Sequence, residues 1–298
     1  MSEHGTDPAT ESFVAHRNLL FTVAYEMLGS AADAEDVLQE TWLRWAAVDL
    51  AQVRDHRAYL VRITTRQALN RLRTMTRRKE SYVGPWLPEP MLTAPDVAED
   101  AELSESLSMA LMLVLETLSP TERAVFVLRE VFDIDYDEIA AAVDKTPAAV
   151  RQIAHRARKH VDARRPRQSA SVKATRAALE SFQHALETGD LQGLLDVLAP
   201  EVVMLNDGGG IKVAAPRPIT GASKVARFIL GAMAKNGATL TAAPTVVNGN
   251  PALALSLGGE FDGVVAFRVE DGHISGLYYV RNPEKLTRVD SETRLTLR

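Results

Sequence analysis

The sequence predicts a multidomain chain, with two all-α modules followed by an α+β domain built on a curved antiparallel sheet. Three observations carry that expectation. Apolar residues recur at three- and four-residue spacings, punctuated by helix caps, through most of residues 12–165. Prolines and a glycine interrupt that pattern between 81 and 101. Beyond residue 198 it gives way to short runs separated by Gly, Asn and Asp turns.

The first helix spans 12–28, with Phe13, Leu19, Leu20, Val23, Ala24, Met27 and Leu28 on its apolar side, and Gly29-Ser30 ends it. A second helix starts after Ser30. Asp33, Glu35 and Asp36 lie in its first turns, where they complement the helix dipole. Val37, Leu38, Trp42 and Trp45 supply its apolar positions, and at least one tryptophan belongs to the core. Residues 49–55 form a loop. The third helix, 56–79, carries Tyr59, Leu60, Ile63, Ala68, Leu69 and Leu72 as its stripe.

Gly84, Pro85, Pro88, Pro90 and Pro95 forbid a continuous helix through 81–101, which therefore reads as a linker. It nevertheless holds Trp86, Leu87, Met91 and Leu92. These are costly to leave in water, so part of it is expected to dock on a folded surface.

The second module contains three capped helices. Ser119-Pro120-Thr121-Glu122 is a capping box with proline at the first helical position, and that helix runs to about Asp133. Asp135-x-x-Glu138 offers another capping box, Asp144-Lys145 a short turn, and Thr146-Pro147 a third start. The last helix buries Val150, Ile153, Ala154, Ala157 and Val161. Its other side carries Arg151, Gln152, His155, Arg156, Arg158 and Lys159, which reads as a helix-turn-helix.

In the C-terminal part, helices are expected at 172–188, 191–199 and 221–234, and strands at 202–205, 211–214, 239–247, 252–257, 263–269 and 273–280. The resulting division is 8–80, a proline-rich linker 81–102, 103–165, a short linker 166–171, 172–290 and a tail 291–298.

Composition narrows the function classes. With 46% hydrophobic and 24% charged residues the chain resembles ordinary soluble domains. No apolar run reaches the roughly 18–20 residues of a membrane helix, and the first residues lack a secretory signal, so a cytoplasmic protein with no membrane partner is expected. The absence of cysteine excludes disulfides, thiol nucleophiles and cysteine metal sites. The net charge of −5 hides segregation: residues 54–79 hold nine Lys/Arg against one acid, and 145–167 eight against one, while Glu26 to Glu40 and Asp96 to Glu105 each carry five acids and no base. Two basic patches on helical modules, separated by acid, suggest two contacts with a polyanion.

The order of these features resembles the bacterial RNA polymerase sigma factors of the extracytoplasmic-function (ECF) type. Ala34-Glu35-Asp36-Val37-Leu38-Gln39-Glu40-Thr41-Trp42 is similar to the family's polymerase-binding helix. The segment from Tyr59 through Asn70 is similar to its promoter −10 helix, and Leu118-Ser119-Pro120-Thr121-Glu122-Arg123 through Arg158 to its −35 helix-turn-helix. Trp86-Leu87-Pro88-Glu89-Pro90 resembles the linker motif of a subgroup with a SnoaL-like (NTF2-like), cone-shaped C-terminal extension. Asp207-Gly208-Gly209-Gly210 and Asn282-Pro283-Glu284-Lys285-Leu286 resemble motifs of that extension.

The resemblance implies core RNA polymerase and promoter DNA as partners. Asp33, Glu35, Asp36, Gln39, Glu40 and Trp42 would bind polymerase. Arg62, Arg66, Asn70, Arg71 and Arg73 would hold the −10 element, with a base pocket from the loop near 49–56. Thr146, Ala148, Arg151, Gln152, His155, Arg156, Arg158 and Lys159 would serve the −35 element. Of these, Ala148, Arg151, Gln152 and His155 are placed for base edges and Arg156, Arg158 and Lys159 for phosphates. Trp86, Leu87, Pro88, Glu89, Pro90, Asp207, Gly208, Gly209, Gly210, Asn282, Pro283, Glu284, Lys285 and Leu286 are candidates for a regulatory contact of the extension. The free chain is expected to bind promoters poorly.

No catalytic residue, metal site or cofactor is expected. Beside three glycines Asp207 reads as a turn residue, and neither His184 nor His273 is obviously paired with it. A small apolar ligand of the C-terminal domain is a candidate further partner, and the sequence leaves open whether a separate anti-sigma protein exists. Two other readings stand beside this one: a stand-alone helix-turn-helix regulator with a ligand-sensing domain, and an enzyme active in the SnoaL-like domain. The acidic helix and the first basic helix weigh against the regulator, which needs neither.

Overall fold

The computed structural model describes residues 7–93, 101–164, 171–236, 239–289 and 292–297. Pro95, the acids at 96–100 and the link at 166–170 lie outside the described residues. Two compact units emerge. The first comprises Met1–Glu80, Val114–Arg164 and Arg294–Arg298, the second Ser81–Leu113 and Arg165–Thr293. The polypeptide thus leaves the first unit after Glu80, runs through the second, and re-enters the first at Val114.

The first unit opens with α1 (Pro8–Leu28), α2 (Ala31–Trp45) and α3 (His56–Glu80). Gly29 closes α1 in the left-handed conformation (φ 68°) and the Ser30 hydroxyl accepts from Asp33 N at 3.1 Å to start α2. Trp45 is fully buried and its indole N–H donates to Ala9 O at 2.8 Å. Helix α4 (Ala101–Ser106) and most of α5 (Met109–Leu115) belong to the second unit.

Back in the first unit, α6 (Pro120–Phe126) starts at the reciprocal Ser119–Glu122 capping box read from sequence. Helices α7 (Tyr136–Val143) and α8 (Pro147–Asp162) follow, with Asp144 at φ 56° between them. The second expected capping box does not form. Asp135 is the N-cap of α7 but makes no side-chain bond there; Asp137 and Glu138 complement the dipole of its first turn.

In the second unit, α9 (Val172–Thr188) and α10 (Leu191–Val197) precede β1 (Leu198–Asp207), β2 (Ile219–Thr220), α11 (Ala222–Asn236), β3 (Leu240–Val247), β4 (Asn250–Leu257), β5 (Glu260–Glu270) and β6 (His273–Val280). The sheet order is β2-β1-β6-β5-β4-β3. It is not purely antiparallel as expected, because β1 and β6 pair in parallel. A long crossover holding α11 and the β3–β5 meander joins them, and only hairpin-linked neighbours are bound to run antiparallel. The strand expected at 211–214 is also absent. Ile211 N and Lys212 N both donate to Gly208 O, which folds that stretch into a turn.

Both faces of the central strands are apolar, so the sheet needs cover on two sides. Leu253, Val265 and Leu277 pack with Phe182, Leu194 and Val225 from α9, α10 and α11. On the opposite face, Ala252, Val264, Ala266, Tyr278 and Val280 are covered by Leu87, Met109 and Leu286. The proline-rich connector also extends the sheet edge: Met91 O accepts from Asn248 N at 2.9 Å, Thr93 N donates to Val246 O at 3.2 Å, and Leu92 bridges to Val247. Among the described residues no helix is long and apolar enough to cross a membrane.

Candidate functional sites

Helix α2 divides its acids between two environments. Asp36, Gln39 and Glu40 are exposed, Glu35 and Trp42 half-buried, and Leu43 stands 65% exposed beside them. This is a charged rim around apolar surface. Asp33 is different: it is buried and accepts from Arg71 at 2.6 Å and Arg78 at 3.3 Å. Trp42 lies 5.2 Å from Phe13.

On α3, Arg62, Arg66, Asn70 and Arg73 recur every three or four residues and form one stripe. Arg71 points elsewhere, toward α2, where it is held by Asp33 and by Asp36 at 2.6 Å. The stripe faces α7 within the same unit. Arg66 donates to Ala141 O at 2.8 Å and Ala142 O at 3.4 Å, the free carbonyls at the C-terminal end of that helix. Arg62 lies over the Tyr59 ring at 4.6 Å and lines a cavity with the 52–55 loop, Glu138 and Ala141. Asn70 accepts from Arg73 at 3.3 Å, and both line a neighbouring cavity with Ala142, Val143 and Asp144.

Helix α8 buries Val150, Ile153, Ala154, Ala157 and Val161. Ala148, Arg151, Gln152 and His155 are exposed together on the opposite side, as the i, i+3, i+4, i+7 spacing demands. Thr146 is spent on capping, accepting from Ala149 N at 3.2 Å. Arg156 and Lys159 are exposed, whereas Arg158 holds Glu130 with two hydrogen bonds of 2.9 and 2.5 Å.

In the second unit the three sequence motifs converge on one carboxylate. Asp207 is completely buried and receives four donors: Tyr82 Oη at 2.5 Å, Gly209 N at 3.1 Å, Leu87 N at 2.9 Å and Lys285 Nζ at 2.7 Å. Lys285 also donates to Leu87 O at 2.7 Å and sits 3.4 Å from the centre of the Trp86 ring and 4.7 Å from that of Tyr82. Asn282 donates to Tyr82 Oη at 2.8 Å. Burial and the hydrogen bond given to Asp207 push the Tyr82 phenol far up, so it stays a donor. The glycines make the close approach possible. A Cβ on Gly209 (φ 63°) would meet the Asn282 side chain at 2.4 Å, and one on Gly208 would meet Lys212 O at 2.1 Å. Pro88 and Pro90 are buried; Glu89, half-buried, lies between them.

Comparison with known proteins joins these pieces. Residues 13–78 match Sigma-70 region 2, and residues 108–161 match Sigma-70 region 4. The ECF RNA polymerase sigma factor SigJ of Mycobacterium tuberculosis is 37% identical over 289 residues, 92% of each chain. The chain belongs to the ECF RNA polymerase sigma factors. The probable ECF sigma factor SigI of the same species is 31% identical over 295 residues, covering 98% of this chain and 99% of the relative. The crystal structure of M. tuberculosis SigJ superposes with a TM-score of 0.76 at 33% identity, covering 94% of this chain and 99% of that one. The two all-α regions followed by an α+β extension are the fold class expected for this sigma factor.

Sequence reasoning missed three features of this ECF sigma factor. Asp207 does serve the turn read from sequence, accepting from Gly209 N, but it is also the hub of a buried knot whose other partners come from segments about eighty and more residues away. Arg123 is 2% exposed, gives two hydrogen bonds to Glu26 O (3.1 and 2.9 Å) and pairs with Glu116 at 2.7 Å. Burial alone would raise the Glu116 carboxyl; Arg123 and Lys79 outweigh it and hold it down. The third is a polar cluster inside the α+β unit. Asp262 accepts from Arg281 (2.7 and 2.9 Å), Lys212 (2.9 Å) and Tyr279. Burial works against its charge, yet these bonds lower its pKa to about 2. Among the described residues no group of His, Asp and Glu could hold a metal ion.

Proposed function

We propose that the α2 rim grips core RNA polymerase while α3 and α8 hold the −10 and −35 elements, and that the extension sets this activity through the connector. The observation that carries the regulatory part is the Asp207 knot. The residues joining region 2 to region 4 are fastened to the C-terminal unit at Tyr82, Trp86 and Leu87. Any rearrangement that spreads the two DNA-reading regions must work with or against that attachment.

The contact of Arg66 with the end of α7 supports a second element of the reading. The −10 stripe is engaged internally in the free protein, so promoter binding waits for polymerase to separate α3 from α7. Regions 2 and 4 would then reach DNA only in the holoenzyme. Enzymatic action of the extension is not favoured. Asp262, the acid nearest its cavity, has both oxygens occupied and, with a pKa of about 2, is a weak base at neutral pH.

Gel filtration with core polymerase, then permanganate footprinting of a target promoter, tests the reading. The chain should co-migrate and the holoenzyme should melt the −10 region. Glu40→Lys combined with Leu43→Glu should abolish co-migration while leaving thermal stability intact. Unchanged co-migration would remove the α2 assignment.

A further inference from the structure

The α+β unit encloses a cavity of about 90 Å³ between the sheet and α9 and α11. That is several times the ~10–15 Å³ one water requires. Phe182, Met204, Ile229, Met233 and Leu277 line it, and at its open side Phe228 is partly exposed and Val213 89% exposed. An apolar cavity of this kind favours an apolar occupant.

One lining group does not fit a purely apolar filling. Asn206 is 2% exposed, and its Nδ2 is buried without a hydrogen-bond partner. Alternation along β1 sends Asn206 to the cavity side with Met204, while Asp207 turns to the connector knot. Buried donors are ordinarily satisfied, and leucine would fill the same space without the penalty of an unused N–H. The other polar groups at the cavity satisfy one another. Asp262 takes up Arg281, Lys212 and Tyr279, and Arg281 also donates to Val213 O. What remains on offer is the unpartnered Asn206 amide NH2 in the wall of a largely apolar chamber.

We infer that this cavity binds a neutral, apolar small molecule carrying one carbonyl-type oxygen, which accepts from Asn206 Nδ2. A neutral ligand is favoured because the donor is an amide and both cations are already engaged by Asp262. The inference concerns the α+β unit alone and stands whether or not that unit regulates the two sigma regions.

The test uses full-length protein labelled at the methionine methyl groups, since Met204 and Met233 line the cavity and the other methionines among the described residues do not. Acetophenone and ethylbenzene, alike except for the carbonyl, are titrated by NMR. Acetophenone should shift Met204 and Met233 saturably and leave Met27 and Met75 unmoved. In Asn206→Leu the ratio of the two dissociation constants should move about 3- to 10-fold toward ethylbenzene, the worth of one neutral hydrogen bond. Comparing the ratio cancels the different hydration of the two probes. Absence of saturable shifts, or an unchanged ratio in Asn206→Leu, would overturn the proposal. Should that variant fail to fold, Ala232→Trp at the exposed part of the lining must block acetophenone, and continued binding there overturns it equally.

Discussion

Asp207 and Lys285, 78 residues apart, form an ion pair of 2.7 Å with both side chains buried. Such a pair is a poor source of net stability but very costly to break from one side, because the surviving charge stays buried. Here the two residues also clasp both backbone groups of Leu87. The pair therefore acts as a fastener for the connector.

The first prediction follows from that asymmetry. Asp207→Asn should cost about 3–5 kcal/mol in the second unit and expose residues 81–93 to protease. Asp207→Leu with Lys285→Met should recover much of the stability, read by chemical denaturation, but leave the connector protease-sensitive. If Asp207→Asn matched the parent in both assays, the fastener would not exist.

Arg66 supplies a second test. Its two hydrogen bonds to α7 tie region 2 to region 4, and charged hydrogen bonds contribute about 1.5–3 kcal/mol. With fluorophores on α2 and α8, Arg66→Ala should broaden the distance distribution in the free protein. No DNA is present, so loss of a phosphate contact cannot produce the effect. A distribution identical to the parent's would show that Arg66 latches nothing.

Arg151 is exposed on the face of α8 that it shares with Ala148, Gln152 and His155, the positions proposed to meet base edges. In the holoenzyme, Arg151→Ala should lower discrimination at one −35 base pair by about 1–3 kcal/mol. Lys159→Ala should instead weaken all −35 variants alike and flatten the salt dependence. Selection from a randomised −35 library separates the two. An unchanged base preference for Arg151→Ala rejects its role.

Asp262 sets a pH dependence. Its folded pKa of about 2 lies below the ordinary 3.8, so the unfolded chain binds the proton more readily and the stabilisation is lost as pH falls from about 4 toward 2. The stabilisation is on the order of 1–2 kcal/mol. Asp262→Asn should remove that part of the acid sensitivity and lower the midpoint of unfolding at pH 7. Parallel stability–pH curves for the two proteins below pH 4 would contradict the assignment.

What was legible in the sequence is the local part. Ser30, Ser119 and Thr146 announce helix starts whose bonds depend on residues three positions away, and the exposed face of α8 follows from helical spacing alone. The parallel β1–β6 pairing was not legible, since it depends on a connection spanning much of the domain. Nor was the fate of individual charges. Arg71 and Arg73 look alike in sequence, yet a rotation of about two hundred degrees around α3 gives Arg71 the acids Asp33 and Asp36 and points Arg73 to Asn70. The apolar residues of the connector did signal docking, whereas the glycines beside Asp207 signalled only a turn and not the close approach they permit. Only the fold brings the two together.

The most direct test of the regulatory claim is run-off transcription with core polymerase. It compares the full-length protein, a chain ending after Arg167, and Asp207→Asn, each first shown to co-migrate with polymerase. The truncated chain should differ clearly in transcript yield from the full-length protein, and Asp207→Asn should move the yield in the same direction. Equal yields from all three would mean that the extension does not set the activity of the two sigma regions.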